Sequence, residues 1–194
     1  MRRKTLDSLL TIGGLALTVL LLVAGSLLAW GSTFVTNQVH DQLAAQQIFF
    51  PPKGEATASP EIGPYLNQYA EQQLVNGEQA RAYADHFIAV HLAEQSGGKT
   101  YSQLSTASRA DPENAELAAQ VQTTFRGETL RGLLLNAYAF GKMGQIAMIA
   151  AIVSFVGAGV MLLLSLLGMV HLRRVSPDDE VITVPQRRTV PAPA

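Results

Sequence analysis

The chain has 194 residues, 48% hydrophobic and only 15% charged, with a formal net charge of −1 and no cysteine. Disulfides, thiolate catalysis and Cys-type zinc sites are therefore excluded, and the few, scattered Arg and Lys give no nucleic-acid face. So apolar a composition with so few charges points to a membrane protein.

Residues 1–8 hold Arg2, Arg3 and Lys4 and read as a short cytoplasmic N-terminus. Leu9 to Trp30 is then free of charge for 22 residues, where about 20 suffice for a helix to cross a hydrocarbon core. A second uncharged run, Ile146 to Val170, has 25 residues and is followed by Arg173 and Arg174. Beyond the first run no Lys or Arg occurs before Lys53. Basic residues in short flanks stay inside, so both termini are expected in the cytoplasm and residues 31–145 outside. Trp30 stands where an interfacial aromatic belongs. A cleaved signal peptide, cut after Ala29 or Ser32, is the alternative for the first run. A retained anchor is expected instead, because the apolar run exceeds the usual ~7–15 residues and helical patterning continues past it.

Within these two spans, 9–30 and 146–170, the only polar side chains are Thr11, Thr18, Ser26, Ser154 and Ser165. No ionisable group of the kind that relays protons or carries ions lies at membrane depth. The second span contains a seam of small residues: Gly144, Ala147, Ala151, Ser154, Ala158, Met161, Ser165 and Gly168 follow one another at alternating steps of three and four. A weaker seam runs through Thr11, Gly14, Thr18, Leu21, Gly25, Leu28 and Ser32. Apolar side chains gain little by leaving lipid for one another, so close approach through small residues is what favours association within a bilayer. The 3.5-residue repeat predicts a left-handed crossing. Three partners remain open for the seam: the other span, a second copy of the chain, or another membrane protein.

Outside the membrane the pattern is helical. Phe34, Val35, Val39, Leu43 and Phe50 extend the first helix to Pro51-Pro52, and residues 51–63 read as a loop. Pro64 suits the first turn of a second helix ending at Asn76-Gly77. From Glu78 to Gln95 the apolar positions Ala80, Tyr83, Ala84, Phe87, Ile88, His91 and Leu92 recur at helical spacing, and Gly97-Gly98 ends the run. A short helix is expected near Tyr101–Ser108. Asp111 as N-cap and Pro112 at the first position predict the start of a last helix, leading through Leu117, Val121, Phe125 and Tyr138 into the second span. Gly127, Gly132, Gly141 and Gly144 are candidate kink points in it. The expected fold is all-α: two transmembrane helices and an extracytoplasmic helical bundle whose first and last helices continue the spans. Residues 171–194, rich in proline toward the end, read as a disordered cytoplasmic tail, with Thr189 after Arg187-Arg188 a conceivable phosphorylation site.

No catalytic, cofactor-binding or metal site emerges. His86 and His91 are five residues apart and point roughly 140° away from each other on a helix, whereas a zinc pair needs three or four. His91 lies in the apolar stripe, where a core histidine is the ordinary case; His40 stands beside Asp41. There is no G-x-S-x-G elbow, P-loop or G-x-G-x-x-G. Arg126, Glu128 and Arg131 form a charged cluster that fits a partner or headgroup contact, or simply an exposed helix face with local ion pairs.

The stretches VHDQLAAQQIFFPP at 39–52, NGEQARAYADHFIAVHLAE at 76–94 and FRGETLRGLLLNAYAFGKMGQIA at 125–147, with the two spans, resemble a group of uncharacterised actinobacterial two-span membrane proteins. The resemblance implies a domain in a bacterial cell envelope and no established activity. Some members bear the name aromatic ring-opening dioxygenase. That chemistry needs a convergent set of His and carboxylate ligands, which the spacing here does not assemble. The expectation is a non-enzymatic membrane protein of the cell envelope, a structural or accessory subunit without cofactors that associates through its spans and its outer helical domain, and whose partners are the lipid bilayer and either a second copy or another membrane protein. A sensor or signalling adaptor working through a separate output partner is the alternative.

Overall fold

The computed structural model describes residues 3–174; the expectations for the tail, Thr189 included, lie outside the described residues. The described residues are helical and contain no strand. The elements are α1 (Arg3–Ala45), α2 (Gly63–Leu66), α3 (Gly77–Ala82), α4 (Ala89–Ser96), α5 (Tyr101–Ala110) and α6 (Ala115–Leu172). α1 and α6 are long and apolar enough to cross a membrane. The chain divides into two compact units: one formed by the residues up to Ala29 and from Ile149 onward, the other Trp30–Met148. α1 and α6 are continuous through both.

The second unit departs from the sequence expectation in three places, each for a local reason. α1 stops at Ala45, not at the prolines, because Gln47 turns left-handed (φ 52°) and residues 48–50 become extended. Their backbone pairs with residues 71–74: Phe50 N donates to Gln72 O (2.9 Å), Leu74 N to Ile48 O (2.8 Å) and Glu71 N to Phe50 O (3.2 Å). Pro51 reinforces the extended state of Phe50, since a residue before proline is pushed out of the α region. The same pairing cuts short the second helix. α2 ends at Leu66, one 3₁₀ turn covers Asn67–Tyr69, and Glu71 (φ 62°) reverses the chain. Third, α6 starts at Ala115, not after Asp111. Asn114 is the residue whose side chain accepts from Leu117 N (3.0 Å), and Asp111 closes the end of α5.

Elsewhere the local signals hold. Asn76 caps α3 through Gln79 N (3.0 Å), and Gly97 (φ 62°) ends α4 with Gly98 N bonded to Ala93 O (2.8 Å). Between α3 and α4 the helix widens to a π turn, Tyr83–Ile88. Thr100 and Gln103 form a reciprocal capping box at α5. α6 runs as unbroken helix past Gly127, Gly132, Gly141 and Gly144, the candidate kink points.

The core of this unit gathers Val39 and Leu43 of α1, Phe50, Ile62, Leu66, Leu74, the stripe Ala80, Ala84, Ile88 and Leu92, and Leu134 of α6. Phe50, 2% exposed, lies against the rings of Tyr69 (5.1 Å) and Tyr83 (5.4 Å, edge-on). Burial raises the Tyr83 phenol above its ordinary range, since the charged form would lose its hydration.

Candidate association surface

In the first unit the two seams of small residues face each other. Thr11, Gly14, Thr18 and Gly25 are buried on α1; Ala151, Ala158 and Ser165 are buried on α6, with Ser154 half-buried beside them. The helices approach too closely for larger side chains. A Cβ on Gly14 would run into Ser165 Oγ, one on Gly25 would lie 3.0 Å from the Phe155 ring, and one on Gly168 2.7 Å from Thr11 Oγ1. The remaining seam residues, Gly144 and Ala147, fall in the second unit. Gly144 is buried there against Thr36, and its carbonyl accepts from Ser32 Oγ (2.7 Å). In these stretches the chain's own other helix lies against the seam.

The polar side chains of the spans turn back on their own helices. Thr11, Thr18, Ser26 and Ser154 each donate to the carbonyl four residues earlier at 2.8 Å, so each hydroxyl is satisfied within its own helix. Away from the seam large apolar side chains are exposed, among them Leu20, Val153 and Leu167. Near the start of α1 and the end of α6, Asp7 lies 4.0 Å from Arg3 Nε and 3.8 Å from His171 Nε2.

The charged cluster named from sequence divides in the second unit. Arg131 is held inside the chain, by Asp85 of the π turn (3.2 Å) and by Glu128 (3.6 Å). Arg126 and the side chain of Glu128 are exposed on α6. Further along α6, Lys142 pairs with Glu78, and Arg81 donates to Tyr138 OH (3.0 Å) while lying 5.0 Å over its ring. The hydrogen bond to Glu78 holds the Lys142 ammonium above its usual pKa range. These contacts are possible because α3 starts against α6: a Cβ on Gly77 would meet Tyr138 Cα at 3.0 Å.

The histidines are dispersed in their contacts. His40 pairs with Asp41 at 3.2 Å, His86 stacks on Tyr65 with centroids 3.5 Å apart, and His91 Nδ1 is bonded to Phe87 O at 2.8 Å. Among the described residues no three His, Asp or Glu side chains gather as a metal site would require.

What sequence reading passed over is a groove in the second unit between α1 and α6, about 440 Å³ in volume. α1 supplies an apolar floor of Val35, Val39 and Leu43 and the amides of Gln38 and Gln42, and Gln46, in the turn just past its end, adds a third. α6 supplies Leu133, Ala137 and Phe140, with Asn136 as a fourth amide. Phe34 and Phe140, 53% and 54% exposed, border it, and none of its lining residues is charged. The i, i+4 spacing of Gln38 and Gln42 was the signal in the sequence; it places them on one face of α1 beside the apolar stripe, and Gln46 follows in the turn after the helix. A concave, mainly apolar surface with a few aligned polar groups is the form that a docking site takes.

No protein-family model, curated protein or solved structure matches the chain.

Proposed function

We propose that this chain is a non-enzymatic integral membrane protein of a bacterial cell envelope, a structural or accessory subunit that binds a protein partner through its outer helical domain. α1 and α6 cross the bilayer once each, both termini are cytoplasmic, and residues 31–145 form an extracytoplasmic bundle continuing the spans. The observation that carries the association is the uncharged groove of Gln38, Gln42, Gln46 and Asn136 over an apolar floor. Along the spans, the small-residue seam supports close packing of α1 on α6.

The absence of cysteine makes topology directly testable with single-cysteine variants. Lys99→Cys should react with a membrane-impermeant maleimide in intact cells, and Thr5→Cys only after permeabilisation. The reverse pattern refutes the orientation. Association is tested by crosslinking in native membranes with mass spectrometry. A complex containing this chain is the expected result, and recovery of the free monomer alone refutes the subunit reading.

One observation favours a second reading, a sensor that acts through a separate output partner. α1 and α6 continue without a break through residues 30 and 148, which is how a shift in an outer domain reaches the far side of a membrane. Ligand-dependent thermal stabilisation of the full chain supports it, and indifference to a broad metabolite screen counts against it.

A further inference from the structure

We infer that Asp7 and His171 form a pH-responsive clasp between the start of α1 and the end of α6, closed when the imidazole is protonated and open when it is neutral. The inference goes beyond the subunit reading and stands or falls without it.

The first unit has little charge with which to join its helices. Among its described residues Asp7 is the only carboxylate; the other ionisable side chains are Arg3 and Lys4 on α1 and His171, Arg173 and Arg174 on α6. The cations at the two helix ends repel one another, so Asp7 alone draws the ends together electrostatically. Its Oδ2 is buried and accepts no hydrogen bond. Arg3 Nε, 4.0 Å away, is one turn back on the same helix and half exposed. That pair cannot join α1 to α6, and such exposed pairs contribute little. His171 Nε2, 3.8 Å away, belongs to the other helix and stands just outside hydrogen-bond distance.

A proton on His171 changes this balance. The imidazolium donates from both ring nitrogens, and its bond to a carboxylate closes to about 2.7–2.9 Å, a shift of about 1 Å. There is room for that shift. A cavity of about 210 Å³ lies between the helices, lined by Asp7 and His171 together with Gly14, Ser165 and Gly168, and the His171 side chain is half exposed. A buried carboxylate oxygen without a donor is costly. In the open state water entering the cavity supplies the donor; in the closed state His171 replaces it. Imidazole ordinarily changes charge between about pH 5 and 8, whereas carboxylate, ammonium and guanidinium groups ordinarily keep one charge across that range. The clasp therefore has a single titrating partner.

The chain has no cysteine of its own, so spin labels on Thr5→Cys and Val170→Cys read the separation of the two helix ends in the full chain in detergent, by double electron–electron resonance. The ratio of short-distance to long-distance populations should be about two- to fivefold higher near pH 5 than near pH 8, the range expected of a partly exposed pair. In the same labelled background His171→Gln should remain open and His171→Lys closed at both pH values, and Asp7→Asn should lose the response. His40, His86 and His91 remain in all of these variants, so a response lost in His171→Gln belongs to His171. Distributions that do not change with pH in the labelled parent overturn the inference. A response that survives in Asp7→Asn or His171→Gln, or a His171→Lys chain that stays open, overturns it equally.

Discussion

Adding one methyl group at Gly77 should destabilise the second unit, whereas the same change at Gly132 should stabilise it. At Gly77 the new Cβ meets Tyr138 Cα at 3.0 Å and Ala137 O at 3.2 Å, both backbone atoms in the middle of α6. Backbone atoms within a long helix cannot swing aside as a side-chain tip can, so α3 must retreat from α6. Such overpacking costs about 1–3 kcal/mol, only partly offset by the better helix propensity of Ala. At Gly132 a Cβ meets nothing within 4 Å, so the propensity gain of up to about 1 kcal/mol stands alone. Gly141 lies between these cases: its Cβ would sit 3.5 Å from Gly77 Cα, an ordinary contact. Thermal unfolding of the full chain in detergent, followed by circular dichroism, reads the three variants. For a unit of this size Gly77→Ala should lower Tm by roughly 4–12 °C, Gly132→Ala should raise it by a few degrees, and Gly141→Ala should change it little. Equal shifts for Gly77→Ala and Gly132→Ala would refute the close approach of α3 to α6.

Three further expectations follow from the packing. Phe50→Ala, which removes a ring buried against Tyr69 and Tyr83, should cost about 3–5 kcal/mol; a loss below 1 kcal/mol in the same unfolding assay contradicts its central place in the core. In the first unit, Gly14→Leu should force the helices apart at a cost of about 1–3 kcal/mol, because Ser165 fills the space, while Gly13→Leu, with nothing within 4 Å, should be tolerated. Intramolecular crosslinking between cysteines placed on α1 and α6 separates the two outcomes. Tyr83 and Lys142 both have folded-state pKa values raised above their ordinary ones, so each contributes stability that is complete below its unfolded pKa and is lost as pH rises through the folded value. Stability should therefore hold from neutral pH to about 10 and then decline; Tyr83→Phe and Lys142→Met should each remove part of that decline, and an alkaline profile unchanged in both variants contradicts the assignment.

Legibility in the sequence followed the range of the forces involved. The spans, the stripe from Ala80 to Leu92 and the cap at Gly97 are local matters of composition, periodicity and backbone conformation, and a linear sequence displays them. The ends of α1 and α2 are not local. Gln47 and Glu71 adopt left-handed conformations because Ile48–Phe50 finds a backbone partner in Gln72–Leu74, a pairing between segments over twenty residues apart. At the start of α6 two candidate caps, Asp111 and Asn114, stood three residues apart, and the choice depended on how α5 closes. The groove was written in the glutamine spacing, yet only the approach of α6 turns a polar row into the wall of a concave surface.

α1 also changes its chemistry along a single inward-facing register. At Gly14, Thr18 and Gly25 the inward side chains are small; at Val35, Val39 and Leu43, on the same repeat, they are larger and apolar. α6 changes in parallel, from Ala158 and Ala151 to Leu134. Burying a leucine is favourable only where the alternative is water. In lipid the alternative is equally apolar, and what remains is the dispersion gained by close backbone approach. Ser32 and Gly144, whose hydrogen bond joins α1 to α6, lie in the second unit close to this change in side-chain size. Under the membrane orientation proposed above, that is where water begins, a few residues from Trp30.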